Sequence, residues 1–223
     1  MKNHNLILSA FLLLSSTVWA SFESTVPGIS IANTHLIDGR SILRGSQPLK
    51  KADELKAWGI TDVIIFKSPT KTEVAEEIET LTALDIRAHH IPFRWKNLES
   101  PEIACRQVVQ ALQLMKQNRS EGKTTFFHCT VGEDRTGLLA GVWRMLDDGM
   151  TRENAWTQEM CPNGYADGNR AKPKAVADAI HAELTPLFYA LATKINEGQL
   201  TLATLNAEVC GSLDIAVVKR TCR

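Results

Sequence analysis

Phe126-Phe127-His128-Cys129-Thr130-Val131-Gly132-Glu133-Asp134-Arg135-Thr136-Gly137 is the stretch that decides the fold. With Thr124 and Thr125 before it, the segment up to His128 is β-branched and aromatic without polar alternation, the pattern of a strand buried on both faces. Gly132 marks a turn, and a helix is predicted from about Arg135 to Asp147, stopped by Gly149. A buried strand running through a tight turn into a helix points to an α/β sheet with helices packed on it.

The same alternation extends in both directions. Thr61 to Phe66 reads as a second buried strand. Thr72 to Leu84 reads as a helix with Val74, Ile78 and Leu81 inward, Ile86 to Ile91 as a strand, and Glu102 to Asn118 as a helix with Val108, Leu112 and Met115 on one face. Ser41 to Leu43 is a short strand candidate, Arg44-Gly45-Ser46-Gln47-Pro48 a turn, and Leu49 to Trp58 a helix ended by Gly59. Residues 21–34 carry little periodicity. Downstream, helices are predicted over Arg152 to Met160, Lys174 to Lys194 with a bend at Pro186, and Leu200 to Cys210. No repeat or linker divides the 223 residues, so the expectation is a single α/β domain, a central mostly parallel sheet flanked by helices.

Charge and composition narrow the chemistry. Twenty-five basic residues balance 25 acidic ones, which disfavours nucleic-acid binding through an overall field. Lys2 and His4, the apolar run Leu6 to Leu14 and the small residues ending at Val18-Trp19-Ala20 have the order of a signal peptide over residues 1–20. That run is shorter than the roughly 20 apolar residues of a bilayer span, so cleavable export is expected, to the periplasm if the source has two membranes, with no membrane span in the mature chain. In an oxidising compartment five cysteines leave one unpaired. Sequence proximity favours Cys210 with Cys222, and elimination then pairs Cys105 with Cys161.

Cys129 sits at the C-terminal end of a strand, where open α/β sheets place ligands. The backbone N–H groups of Thr130, Val131, Gly132, Glu133, Asp134 and Arg135 can converge on an anion as the chain turns into the helix. Those amides, the helix N-terminus and Arg135 all favour a thiolate, and a planar guanidinium suits two oxygens of a phosphoryl group. Nucleophile, oxyanion cradle and clamp together make a covalent phosphate-transfer site. His89 and His90 point to opposite faces of their strand and no HExxH-like set occurs, so neither a metal nor another cofactor is expected. Trp58, Trp143 and Trp156 read as core, and Gly137-x3-Gly141 as close packing of the helix on the sheet.

His128-Cys129-x5-Arg135-Thr136-Gly137 resembles the active-site loop of the cysteine-dependent protein phosphatases, and the compact size is similar to the dual-specificity branch. Arg44 to Pro48, Gly59-Ile60 before the strand ending Phe66-Lys67, and Ala155 to Glu159 resemble bacterial members. The resemblance covers roughly Ile42 to Met160. It implies a phosphatase domain over 21–223, with a motif-bearing core at about 42–160 and a helical extension at about 161–223. The leader and extension are similar to small exported bacterial phosphatases, including those related to cysteine phytases. By resemblance Cys129 attacks phosphorus to give a phosphocysteine, Arg135 binds two phosphoryl oxygens, Thr136 donates its hydroxyl to the sulfur, and His128 orders the loop from beneath.

The family's general acid is an Asp about thirty residues before the nucleophile, and the loop Phe93 to Pro101 has none. Glu99 stands at that distance, and Asp134 competes because related lipid phosphatases carry an acid just before the loop Arg. Arg44, Lys67, Lys71, Arg94 and Lys96 are candidate rim cations, with Arg170, Lys172 and Lys174 further along. Glu133 and Asp134 disfavour a densely anionic substrate unless that rim compensates. The leading expectation is a dual-specificity or tyrosine protein phosphatase. An inositol polyphosphate phosphatase is the alternative, and a catalytically silent phospho-ligand binding module stays open because of the missing loop Asp.

Overall fold

The structure is a computed structural model that describes residues 22–39 and 41–223. The signal-peptide reading over residues 1–20 lies outside the described residues. The strands are β1 (His35–Leu36), β2 (Ile42–Gly45), β3 (Asp62–Phe66), β4 (Arg87–Ile91) and β5 (Thr125–His128). They form one sheet in the order β1-β2-β5-β3-β4, antiparallel between β1 and β2 and parallel elsewhere. The helices are α1 (Ala52–Trp58), α2 (Glu73–Ala83), α3 (Pro101–Ser120), α4 (Asp134–Asp147), the single turn α5 (Arg152–Asn154) and α6 (Lys174–Asn196).

The absence of polar alternation in the strands has its cause in two cores, one on each face. Val63 and Ile65 of β3, Leu43 of β2 and Phe126 of β5 face a cluster closed by Ala52 and Leu55 of α1 and Val74 and Leu81 of α2. Ile64, Phe66, Ile42 and Phe127 face the larger cluster built with α3, α4 and α6. Leu138, Leu139, Val142 and Trp143 of α4 are fully buried there, each such apolar side chain stabilising by about 1.5–3 kcal/mol. Ser100 caps α3 by accepting from Ile103 N–H at 3.1 Å, with Pro101 in the first turn.

The structure differs from several expectations. The Gly137 and Gly141 face of α4 meets the C-terminal layer, not the sheet: a Cβ on Gly141 would lie 2.8 Å from Met160 Sδ and 3.2 Å from a Phe188 ring carbon. Arg152 to Met160 begins as α5 and continues as a π-helix over Ala155–Met160. Leu200 to Cys210 is not an α-helix; a 3-10 helix at Ala207–Ser212 stands in its place. The disulfides are Cys105–Cys210 and Cys161–Cys222, not the pairs expected from proximity, and Cys129 is the free thiol. Among the described residues no helix is long and apolar enough to cross a membrane.

Candidate active site

The site forms where β5 ends. Cys129 follows His128 at the strand's last position and is 1% exposed. The loop climbs through Thr130 to Gly132, which takes φ +72°, and enters α4 at Asp134. Gly132 is the residue the turn requires, because a Cβ there would fall 2.6 Å from the Gly45 carbonyl carbon at the end of neighbouring β2.

For the loop N–H groups to face inward, its carbonyls must turn outward and find donors there. The Cys129 carbonyl lies 2.8 Å from His128 Nδ1, and the Thr130 carbonyl accepts from Gln47 N–H at 3.2 Å. The Gly132 carbonyl accepts from Asn33 Nδ2 at 2.9 Å and from Arg44 Nη2. His128 therefore touches the Cys129 peptide from beneath the loop.

Burial pushes the Cys129 thiol pKa up, but the Arg135 guanidinium and the hydroxyl and N–H of Thr136 outweigh it, against a smaller opposing effect of Asp134, and the net direction is down. Arg135 donates from Nη1 to the Phe93 carbonyl at 3.2 Å and from Nη2 to Thr130 Oγ1 at 3.1 Å. The arginine thereby ties the catalytic loop to the segment after β4, whose Phe93 stacks on Phe66 with ring centres 4.3 Å apart.

The two loop acids do not point at the phosphoryl site as free charges. Lys172, a buried residue, places Nζ 3.0 Å from Glu133 Oε2 and 2.5 Å from Asp134 Oδ1. Asn169 donates to Glu133 Oε1 at 2.8 Å, and Ala166 N–H donates to Asp134 Oδ1 at 2.8 Å. Burial raises the Glu133 pKa against the pull of Lys172 and Asn169. Both carboxylates thus brace the loop against the 164–172 segment.

Three of the expected rim cations are not on the rim: Lys172 is the buried partner of Glu133 and Asp134, and Arg44 and Lys67 are also turned inward. Arg44 is fully buried, paired with Glu159 Oε1 at 2.7 Å; it comes from β2, and its guanidinium runs beneath the loop to the Gly132 carbonyl. Lys67 is 2% exposed and held by Glu73 Oε1 and Gln47 Oε1, each at 3.1 Å. Buried Glu159 holds Arg44 inward, and half-buried Glu73 holds Lys67. Lys71, Arg94 and Lys96 are exposed, with Lys96 Nζ 4.9 Å from the Trp95 ring centre. Glu99 is exposed on the same loop, 3.6 Å from Arg94, in a cleft also lined by Ser68, Pro69, Leu98 and Gln107. Among the described residues no group of three or more His, Cys, Asp or Glu side chains is placed to hold a metal ion.

Asn33, Gln47, Glu77 and Glu159 contact the loop or its supports without standing out in sequence as site residues, and Lys172, expected on the rim, braces the loop acids instead. Glu159 and Gln47 lie within stretches that carry the family resemblance, which was the available signal for them.

A lone thiol favoured as thiolate at a strand's C-terminal end, with a guanidinium six residues on at the start of a helix, defines a cysteine-dependent phosphatase. A model described as the tyrosine phosphatase family matches residues 32–148, more than half of the chain, and the chain belongs to that family. Its fold is protein tyrosine phosphatase-like. Phosphatidylglycerophosphate phosphatase PTPMT1 of Arabidopsis thaliana is 26% identical over 147 residues, 64% of this chain and 41% of that protein, so the match spans less than half of that relative's length. Among solved structures, Tk-PTP in the active form superposes with a TM-score of 0.52 at 19% identity, covering 73% of this chain and 97% of that one. P. aeruginosa TpbA gives 0.51 at 19% identity, covering 78% and 97%. The core catalytic domain of the PP-IP phosphatase SIW14 from S. cerevisiae gives 0.50 at 17% identity, covering 78% and 98%. These likenesses establish the shared fold.

Proposed function

We propose that the chain is an exported protein phosphatase of tyrosine or dual specificity in which Cys129 attacks the phosphorus of a phosphomonoester. The sulfur–phosphorus bond forms as the ester P–O bond breaks, and water then cleaves the phosphocysteine to release phosphate. Arg135 turns from Phe93 and Thr130 to bind two phosphoryl oxygens, and the loop N–H groups from Thr130 to Arg135 stabilise the charge that grows on them. Thr136 donates its hydroxyl to the departing sulfur in the second step.

Glu99 is the proton donor to the leaving oxygen in this reading. It sits in a cleft on the loop that Arg135 tethers through the Phe93 carbonyl, whereas Asp134 Oδ1 is occupied by Lys172 and Ala166 N–H. On poor leaving groups Glu99→Gln should lower kcat about 100-fold while sparing activated aryl phosphates; equal loss on both sets would remove Glu99 from the role.

One observation carries the substrate class: Arg44 and Lys67 are buried in ion pairs, which thins the cation ring that a densely phosphorylated ligand needs. The decisive experiment compares kcat/KM on phosphotyrosine and phosphoserine peptides with that on phytate. Preference for phytate would replace this reading by the inositol polyphosphate one. Cys129→Ser should abolish turnover on every substrate, and residual activity would reject the thiolate mechanism. The two disulfides support export, since such bonds persist in oxidising compartments. N-terminal sequencing of the secreted protein should begin at Ser21.

A further inference from the structure

Of the donors that hold the loop carbonyls outward, two lead back to one side chain with no part in the chemistry above. Glu77, on α2, places Oε1 2.7 Å from His128 Nε2, and its Oε2 accepts from Gln47 Nε2 at 2.8 Å. His128 Nδ1 faces the Cys129 carbonyl, and Gln47 N–H binds the Thr130 carbonyl. The His128 and Glu77 side chains are 0% and 5% exposed.

Glu77 could instead be a counter-charge for the buried Lys67, but the contacts say otherwise. Lys67 pairs with Glu73 and with Gln47 Oε1, and the direct partners of Glu77 are the two residues that touch loop carbonyls. Proton counting adds a second reason. Both ring nitrogens of His128 lie within 2.8 Å of an oxygen, and a neutral imidazole has one donor. An acid at position 77 resolves this in either of its forms: as carboxylate beside a doubly protonated ring, or protonated and donating to Nε2. Both leave Nδ1–H for the Cys129 carbonyl.

We propose that Glu77 is a positioning residue of the phosphatase: through His128 it holds the Cys129 carbonyl turned away from the phosphoryl site, so that the loop N–H groups stay directed at thiolate and substrate. The inference rests on Cys129 being the nucleophile. The groups facing this chain of contacts are Gln47, Lys67 and Glu73 on the Glu77 side, and Arg135, Thr136 and Asp134 around the sulfur.

The test is the pH dependence of iodoacetate alkylation of Cys129, read beside kcat/KM and thermal melts. It is applied to wild type, Glu77→Met, Glu77→Gln, His128→Asn, and Glu77→Met combined with His128→Asn. Glu77→Met should move the alkylation midpoint up by about one pH unit and lower kcat/KM about 10-fold below that midpoint. Glu77→Gln, which can still donate to Nε2, should recover most of this. His128→Asn keeps a donor near the carbonyl but loses the contact with Glu77, so the double variant should cost little more than either single one. A folded Glu77→Met with the wild-type alkylation profile and kcat/KM overturns the inference, as does full additivity in the double variant. Should Glu77→Met fail to fold, an unshifted profile in His128→Asn overturns it equally. If alkylation of wild-type Cys129 leaves activity intact, the assignment of the nucleophile fails instead.

Discussion

Gly132 and Cys129 show how little freedom single residues have here. Gly132 combines a positive φ with backbone of β2 at van der Waals range, so Gly132→Ala must either move β2 or open the loop. The expected result is a stability loss of about 1–3 kcal/mol in chemical denaturation, with turnover of p-nitrophenyl phosphate falling further than the stability loss alone would bring. At Cys129 the balance of burial against Arg135 and Thr136 fixes the thiolate population at neutral pH. Arg135→Ala removes the largest effect favouring the thiolate. The iodoacetate alkylation midpoint should rise by at least about one pH unit, and a midpoint that stays in place would mean the amides alone hold the thiolate.

At the scale of elements, the loop that carries Cys129 rests on how β2 and the π-helix after α5 meet beneath it. Arg44 and Glu159 lie 115 residues apart in sequence and form a buried pair, with Asn163 donating to Glu159 Oε1 at 3.3 Å. Glu159→Ala strands a buried guanidinium, and the expected cost in urea unfolding is about 3–5 kcal/mol. The elements themselves were largely readable, because strands sheathed on both faces keep continuous apolar runs and the helices carry one inward stripe. Leu200 to Cys210 misled for a local reason. Thr204 N–H donates to Thr201 Oγ1 and Glu208 N–H to Asn206 Oδ1, so side chains take backbone donors that a helix would use. β1 is too short to carry a periodicity. The motif residues declared themselves by spacing, whereas Glu77, Asn33 and Lys172 act through contacts that no local pattern encodes. The same holds for Arg44 and Lys67: the sequence places cations near the site, but the carboxylates that turn them inward come from elsewhere in the chain.

At the scale of the molecule, one disulfide staples the C-terminal extension to the catalytic body, Cys105 of α3 to Cys210, and the other ties the start of that extension, Cys161 just after the π-helix, to its end at Cys222. The first closes a separation of 105 residues, and replacing both its cysteines by serine should cost roughly 2–4 kcal/mol in denaturant titration. Acid acts through His35. Burial and the nearby Arg44, partly offset by Glu159, push its pKa down to about 4. Its ring is held as the neutral form, Nε2 lying 2.9 Å from Asn33 Oδ1 and Nδ1 3.0 Å from Thr25 Oγ1, which can donate to it. An unfolded chain protonates this ring near pH 6.5, while the folded one resists until about pH 4. Between those values the unfolded state binds the extra proton, so this contribution to stability is complete above pH 6.5 and is lost as pH falls toward 4. His35→Gln keeps a polar group at the site without the titration. Its unfolding free energy should therefore vary less steeply with pH than that of the wild type inside this window and run parallel to it above. Parallel curves throughout would show that other groups carry the acid sensitivity.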